Sequence, residues 1–258
     1  MKVVLFCGGL GTRLNEYSTA VPKPLVPIGD RPIIWHLMKY YAHYGHKDFI
    51  LCLGYKGDCL RNYFRTYDPN LTRDFCIEPG GGIYPDVSDI ADWKITFVDT
   101  GLHSNIGQRL LRVKDHLEGE EAFLANYSDQ LSDLPLNDYI DSFNSKSVQA
   151  SFVAVRPSQS FHSVLVAEDG LVEKIEPVQD AEFRINGGYM ILRNSIFSEI
   201  NDGEELVEEP FARLIKKRKL YAHRFDGFWA SMDTFKDKII LDRMHGGENR
   251  PWQVWDQL

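Results

Sequence analysis

The sequence predicts an α/β protein, with a mixed, mainly parallel central sheet flanked by helices and an antiparallel extension. Three observations carry that prediction. Short runs rich in Val, Ile, Leu and Phe alternate with helical patterns through the first 147 residues, as in successive βαβ units. The first run empties into a glycine-rich turn, where open parallel sheets collect their ligands. Beyond residue 147, strand-like runs follow one another with turns between them and few helices. With 258 residues and 43% hydrophobic content, the chain can bury its core as one domain over 1–258. Its halves are expected at 1–147 and 148–245, with a tail over 246–258.

The strands of the first half are expected at residues 2–7, 48–53, 94–99 and 121–126. Between the first two, Ile33, Ile34, Leu37, Met38 and Tyr41 recur at helical spacing before Gly45 stops the pattern. Residues 106–117 and 136–143 repeat it less regularly. In the second half, strands are expected at 148–155, 163–167, 171–176 and 186–192, and helices at 194–199, 205–217 and 236–243. Residues 78–93, with Gly80-Gly81-Gly82 and Pro85, read as a mobile loop beside the site. The tail carries Trp252 and Trp255 and is too aromatic to hang free, so it is expected to pack on the body or on another subunit.

The chemistry concentrates near the start. Gly8-Gly9-Leu10-Gly11-Thr12-Arg13-Leu14 is followed by Pro22-Lys23-Pro24. Glycines let a backbone approach a ligand closely enough for N–H groups to meet phosphate oxygens. Arg13 and Lys23 add full charges, the lysine restrained between prolines. A Walker loop is excluded because no Gly-Lys-Ser/Thr follows at the required spacing. A dinucleotide fingerprint is excluded because Leu14 stands where its third glycine belongs, and Asp30 lies in a turn rather than at a strand end.

These segments resemble the nucleotide-binding motif of sugar-nucleotide pyrophosphorylases. Pro32-Ile33-Ile34-Trp35-His36, Phe97-Val98-Asp99-Thr100-Gly101, Asn186-Gly187-Gly188, Val207-Glu208-Glu209-Pro210 and Phe228-Trp229-Ala230-Ser231-Met232-Asp233-Thr234 extend the likeness almost end to end. Within that superfamily the chain resembles the glucose-1-phosphate cytidylyltransferases. The resemblance implies a Rossmann-like, GT-A-like nucleotidyltransferase fold with the sugar bound in the second half. It implies a Mg²⁺-dependent reaction of CTP, or another pyrimidine triphosphate, with a sugar 1-phosphate. A phosphate monoester has a second pKa of about 6 and is mostly dianionic at neutral pH, so no general base or nucleophilic side chain is needed. The required parts are cations and metal-holding carboxylates.

Arg13 is expected on the β- and γ-phosphates, and Lys23 between the α-phosphate and the sugar phosphate. Asp129 follows the strand 121–126; with Asp233 it is implied as the Mg²⁺ pair, since two carboxylates plus phosphate and water satisfy that ion. Asp129 as a turn residue and Asp233 as a helix N-cap are the plainer alternatives. Nucleotide contacts are expected from Leu5, Phe6, Cys7, Gly8, Gly9, Gly11, Thr12, Thr100, Ser104, Arg109 and Ser128. Cytosine presents an amino donor where uracil presents a carbonyl, so a single backbone carbonyl would distinguish them. Glu176, Asn186, Gly187 and Gly188 are expected at the sugar, with Asn186 as an ordinary turn residue the rival reading. His36, His43 and His46 read as structural or solvated, and Lys216-Lys217-Arg218-Lys219 as a charged helix end.

A net charge of −8 argues against nucleic acid or an anionic membrane as partner. No run approaches a membrane span or a secretory signal, so a cytoplasmic protein is expected, and a homo-oligomer is expected among its partners. Cys7, Cys52, Cys59 and Cys76 lack metal-ligand spacing, and Cys7 and Cys52, within apolar strand-like runs, suit buried reduced thiols. The chain departs from the family at three places. Ser128-Asp129-Gln130 replaces a Gly-Asp-Gly-like run, Glu176-Pro177-Val178 lacks the lysine of a Glu-Lys-Pro motif, and His162 stands where relatives often have glycine. Two other readings remain open: the same reaction with UTP, dTTP or another sugar phosphate, and a non-catalytic sugar-nucleotide-binding regulatory protein.

Overall fold

A computed structural model describes residues 1–9, 21–81, 83–84, 88–157 and 161–256. Its principal elements are β1 (Val3–Phe6), α1 (Ile33–His43), β2 (Asp48–Leu53), α2 (Gly57–Arg65), β3 (Lys94–Asp99), α3 (Ile106–Val113), β4 (Ala122–Tyr127), α4 (Leu136–Asn144), β5 (Ala150–Val155), β6 (Ile185–Arg193), α5 (Glu209–Lys216), β7 (Leu220–Phe225) and α6 (Phe235–Gly246). The seven strands form one sheet in the order β7-β5-β6-β4-β1-β2-β3. Strand β1 pairs in parallel with β2 and β4, and β2 with β3.

The second half joins the same sheet. Only β6 is reversed, pairing antiparallel with β4 and β5, while β7 runs parallel to β5. The extension is therefore less antiparallel than expected, because β5 follows β4 through the helical crossover α4 and resumes its direction. The runs near 163–167 and 171–176 stand apart as a two-stranded hairpin, His162–Val166 with Val172–Pro177.

Alternation along β1 builds two cores. Val3 and Leu5 face α1, α4 and α6, while Val4 and Phe6 face α3 and α5. Helix α1 forms where predicted, with Ile33, Ile34, Leu37 and Met38 buried, and Gly45 beyond it at φ +85°. Three elements differ from the sequence reading. Helix α2 was not expected: it begins on Gly57 after left-handed Lys56, with no side-chain cap, and fully buries only Gly57 and Leu60. Strand β7 is a half-exposed edge without a strong pattern. The helix expected over 205–217 starts only at Glu209, with Pro210 in its first turn, which leaves residues 205–208 as loop.

The tail packs on the body, as expected. Trp252 is only 1% exposed and lies edge-on to His36 and against Phe228, at 6.2 and 5.8 Å between ring centroids. Trp255 rests on Trp35 at 6.0 Å. Replacing Trp252 by Ala should cost about 3–5 kcal/mol of unfolding free energy, and Trp255→Ala distinctly less; urea unfolding followed by circular dichroism measures both.

Candidate active site

At the C-terminal edge of the sheet, one buried cation braces three strand ends. Arg109, from α3, donates through Nη1 to the Thr100 hydroxyl at 2.6 Å and to the Leu53 carbonyl at 3.2 Å. Its Nη2 donates to the Gly8 carbonyl at 3.2 Å, and Thr100 itself donates to Leu53 O at 2.7 Å. The chain thus leaves β1, β2 and β3 around a single guanidinium, whose pKa burial lowers. A Cβ on Gly8 would lie 2.0 Å from Arg109 Nη1, so a side chain here would have to displace the guanidinium. A Cβ on Gly54 would lie 2.7 Å from the Gly8 carbonyl.

Above this brace is a cavity of about 270 Å³. Of the residues expected at the nucleotide, Phe6, Cys7, Gly8, Gly9, Lys23, Ser104, Arg109, Ser128 and Asp129 border it. Leu5 does not; it is buried within the sheet, paired to its neighbours on both sides. Thr100 is also fully buried and serves the brace. The Ser128 hydroxyl is donated to the Phe6 carbonyl at 2.9 Å, fixing the two strand ends to each other. Gly11, Thr12 and Arg13 lie outside the described residues.

The charge centre of the cavity is Lys23. Its Nζ lies 2.5 Å from Asp129 Oδ2 and 2.7 Å from Asp233 Oδ1. A small antiparallel pairing brings these carboxylates together. Gln130–Ser132 pairs with Trp229–Ser231, and the Met232 N–H donates to the Asp129 carbonyl at 2.9 Å. Asp233 is not the cap of α6. Thr234 takes that role in a capping box with Asp237, which leaves Asp233 facing Lys23, with the Ser231 hydroxyl donated to its other oxygen at 2.8 Å. Burial disfavours the Lys23 charge, yet the two carboxylates outweigh it and hold the ammonium above its usual pKa. Burial raises the Asp129 pKa, Lys23 opposes that rise, and Asp233 adds to it. Two hard carboxylates converging on one cation make a donor set that fits a divalent metal completed by phosphate and water oxygens.

The sugar-side expectations divide. Gly188, on β6 at φ +76°, is approached by Gln130: a Cβ there would lie 1.9 Å from Gln130 Oε1. The Asn186 Oδ1 accepts the Gly188 N–H at 2.9 Å, so this side chain shapes the strand entrance. Gly187 gives its carbonyl to the Trp229 indole N–H at 2.9 Å. Glu176 sits on the separate hairpin, paired with Lys174 at 2.8 Å rather than with the Lys23 cluster. Arg184 spends its donors on the Ala154 and Phe225 carbonyls and on Asp226.

The described residues of 78–93 do not border the cavity. Asp89 instead pairs with Lys39 of α1 at 3.2 Å. His36 is structural, buried to a pKa of about 4. Sequence reading missed four residues on the cavity wall: Asn105, Ile106, Tyr127 and Glu205. The Asn105-x-x-Gln108 capping box that opens α3 was the one legible signal.

A family model described as nucleotidyl transferase matches residues 2–237. The chain is 35% identical over 257 residues to glucose-1-phosphate cytidylyltransferase of Salmonella typhimurium, covering 99% of this chain and 100% of that one. It is 36% identical over 259 residues to the Salmonella typhi protein of the same name, with the same coverage. A UDP-glucose pyrophosphorylase structure from Acinetobacter baumannii superposes with a TM-score of 0.69 at 19% identity, covering 99% and 96% of the two chains. A thymidylyltransferase structure from Bacillus anthracis gives 0.67 at 15%, covering 97% of each. These two structural likenesses show the fold.

Gly8→Ala should lower stability by about 1–3 kcal/mol by forcing the guanidinium aside. Combined with Arg109→Ala it should cost less than the sum of the two, in a double-mutant cycle read by urea unfolding. Burial also pushes the Cys52 thiol up to about 12 and Cys7 higher still. A thiol reagent at pH 8 should therefore label Cys59 and Cys76 in the native protein and spare the other two, which mass spectrometry reads directly.

Proposed function

The chain belongs to the nucleotidyl transferase family, and from that premise we propose that it joins CTP to α-D-glucose 1-phosphate, giving CDP-glucose and pyrophosphate. The observation that carries the reading is the Lys23 ammonium held between Asp129 and Asp233 at a cavity floored by the glycine turn. Both substrates are anions, so the protein's work is to bring them together and offset charge on the departing pyrophosphate.

We assign residues 1–147 to the nucleotide and 148–245 to the sugar. The backbone at Gly8 and Gly9 receives the triphosphate, and Arg13 meets its β- and γ-phosphates. Lys23 lies where the nucleotide α-phosphate and the sugar phosphate must approach, and it reduces their mutual repulsion as the sugar phosphate oxygen attacks in line. Asp129 and Asp233 would hold the divalent metal, taken to be Mg²⁺, which when bound supplies charge neutralisation on phosphate oxygens. The glucose unit is assigned to the space near Asn186, Gly187 and Gly188, with Glu176 approaching from its hairpin.

The acidic surface, at a net charge of −8, suits small-molecule partners rather than nucleic acid. Among the described residues no helix is long and apolar enough to cross a membrane, in keeping with a proposed cytoplasmic site of action. A homo-oligomer is supported by the outlying hairpin, where Leu165 and Ile175 are 56% and 65% exposed.

The direct test is pyrophosphate release with Mg²⁺ and glucose 1-phosphate, offering CTP, UTP or dTTP, with sugar-free controls. Sugar-dependent release with CTP supports the proposal, and silence with every triphosphate sinks it. Asp129→Asn should lower turnover by about a hundredfold or more while circular dichroism shows an unchanged fold. Near-normal activity of that variant would remove Asp129 from the metal site.

A further inference from the structure

We infer that Glu205 selects the base: its carboxylate accepts a hydrogen bond from the exocyclic amino group of cytosine. This inference rests on the nucleotide reading of the cavity given above. Glu205 borders that cavity together with Gly8, Gly9 and Tyr127. Its Oε2 accepts the Ile106 N–H at the start of α3, at 3.2 Å. Its Oε1 is buried and has no hydrogen-bond partner among the described residues. An ionised carboxylate offers acceptors only, and a buried acceptor left unpaired is costly, so the group that completes this site is a donor.

Charge decides which part of a nucleotide meets it. The triphosphate is repelled by Glu205 and drawn to Lys23, so the uncharged base is the part left to lie against the carboxylate. Cytosine carries an amino donor at C4, whereas uracil and thymine carry a carbonyl oxygen there. The same carboxylate therefore attracts one pyrimidine and repels the other two. A side-chain carboxylate thus replaces the backbone carbonyl that the sequence suggested for this discrimination.

The loop that bears Glu205 is held firmly. Asn105 Nδ2 donates to the Gly203 carbonyl at 2.9 Å. Arg213 and Asn201 clamp Glu204, with contacts of 2.9 Å from Arg213 Nη1 and 3.0 Å from Asn201 Nδ2, and Leu206 is fully buried. Gly107 lets this loop reach α3, since a Cβ there would lie 2.2 Å from the Glu204 carbonyl. An acceptor fixed in place before binding discriminates better than one that must be ordered by the ligand.

The experiment compares kcat/KM for CTP, UTP, dTTP and ATP, each with glucose 1-phosphate, in the wild type, Glu205→Gln and Glu205→Ala. Glutamine keeps an acceptor for Ile106 and can turn its amide toward a carbonyl oxygen. The CTP/UTP ratio should fall by about tenfold to a hundredfold in Glu205→Gln, through the nucleotide KM, with the sugar KM unchanged. A ratio unchanged within about twofold in both variants would overturn the inference, as would a wild type that prefers UTP. Calorimetric titration of CTP and UTP into wild type and Glu205→Gln reads the same preference without turnover. If no triphosphate supports release, the transferase reading fails, while the titration still decides the role of Glu205.

Discussion

The structure depends on one buried cation, the guanidinium of Arg109 at the C-terminal edge of the sheet. A buried cation is costly without acceptors, and the Gly8 and Leu53 carbonyls and the Thr100 hydroxyl accept from Arg109. Those acceptors belong to the exits of β1, β2 and β3, so satisfying one buried cation fixes how three loops leave the sheet. Gly8 lies directly against the cation, with no side chain between them. Arg109, expected at the nucleotide, borders the cavity and also supports the strand exits that shape it.

The second constraint is electrostatic. Asp129 and Asp233 come from distant parts of the chain and are brought together by the short pairing of Gln130–Ser132 with Trp229–Ser231. Two carboxylates so close repel each other unless a cation lies between them, and Lys23 lies there. The oxygens that hold Lys23 are of the hard carboxylate type that would also suit a divalent metal.

Much of this was legible in the sequence, and the exceptions have physical causes. Apolar periodicity located β1 to β4 and α1 to within a residue or two, because each buries a continuous face. The edge strand β7 and helix α2 bury too little to leave such a pattern. Lys23 and Asp129 announced themselves through an unusual local context, the flanking prolines of one and the strand end before the other. Thr100 and Arg109 were found by their position in a motif, but their role was set by burial, which composition does not reveal. Asp233 needed Thr234 to be recognised as the true cap before it was free to face Lys23.

Glu205 illustrates the deeper limit. In sequence it sits in an acidic stretch, Glu204-Glu205 then Glu208-Glu209, where each carboxylate looks like a solvated helix face. Pro210 holds the start of α5 back to Glu209, and that delay turns the preceding residues into a loop. Arg213 then claims Glu204, while Leu206 anchors the far side in the core. Adjacent glutamates are thereby given opposite tasks, one locking the loop outside and the other facing the cavity. The difference arises from a long-range partner for each, Arg213 for one and the start of α3 for the other, so no local pattern could have separated them.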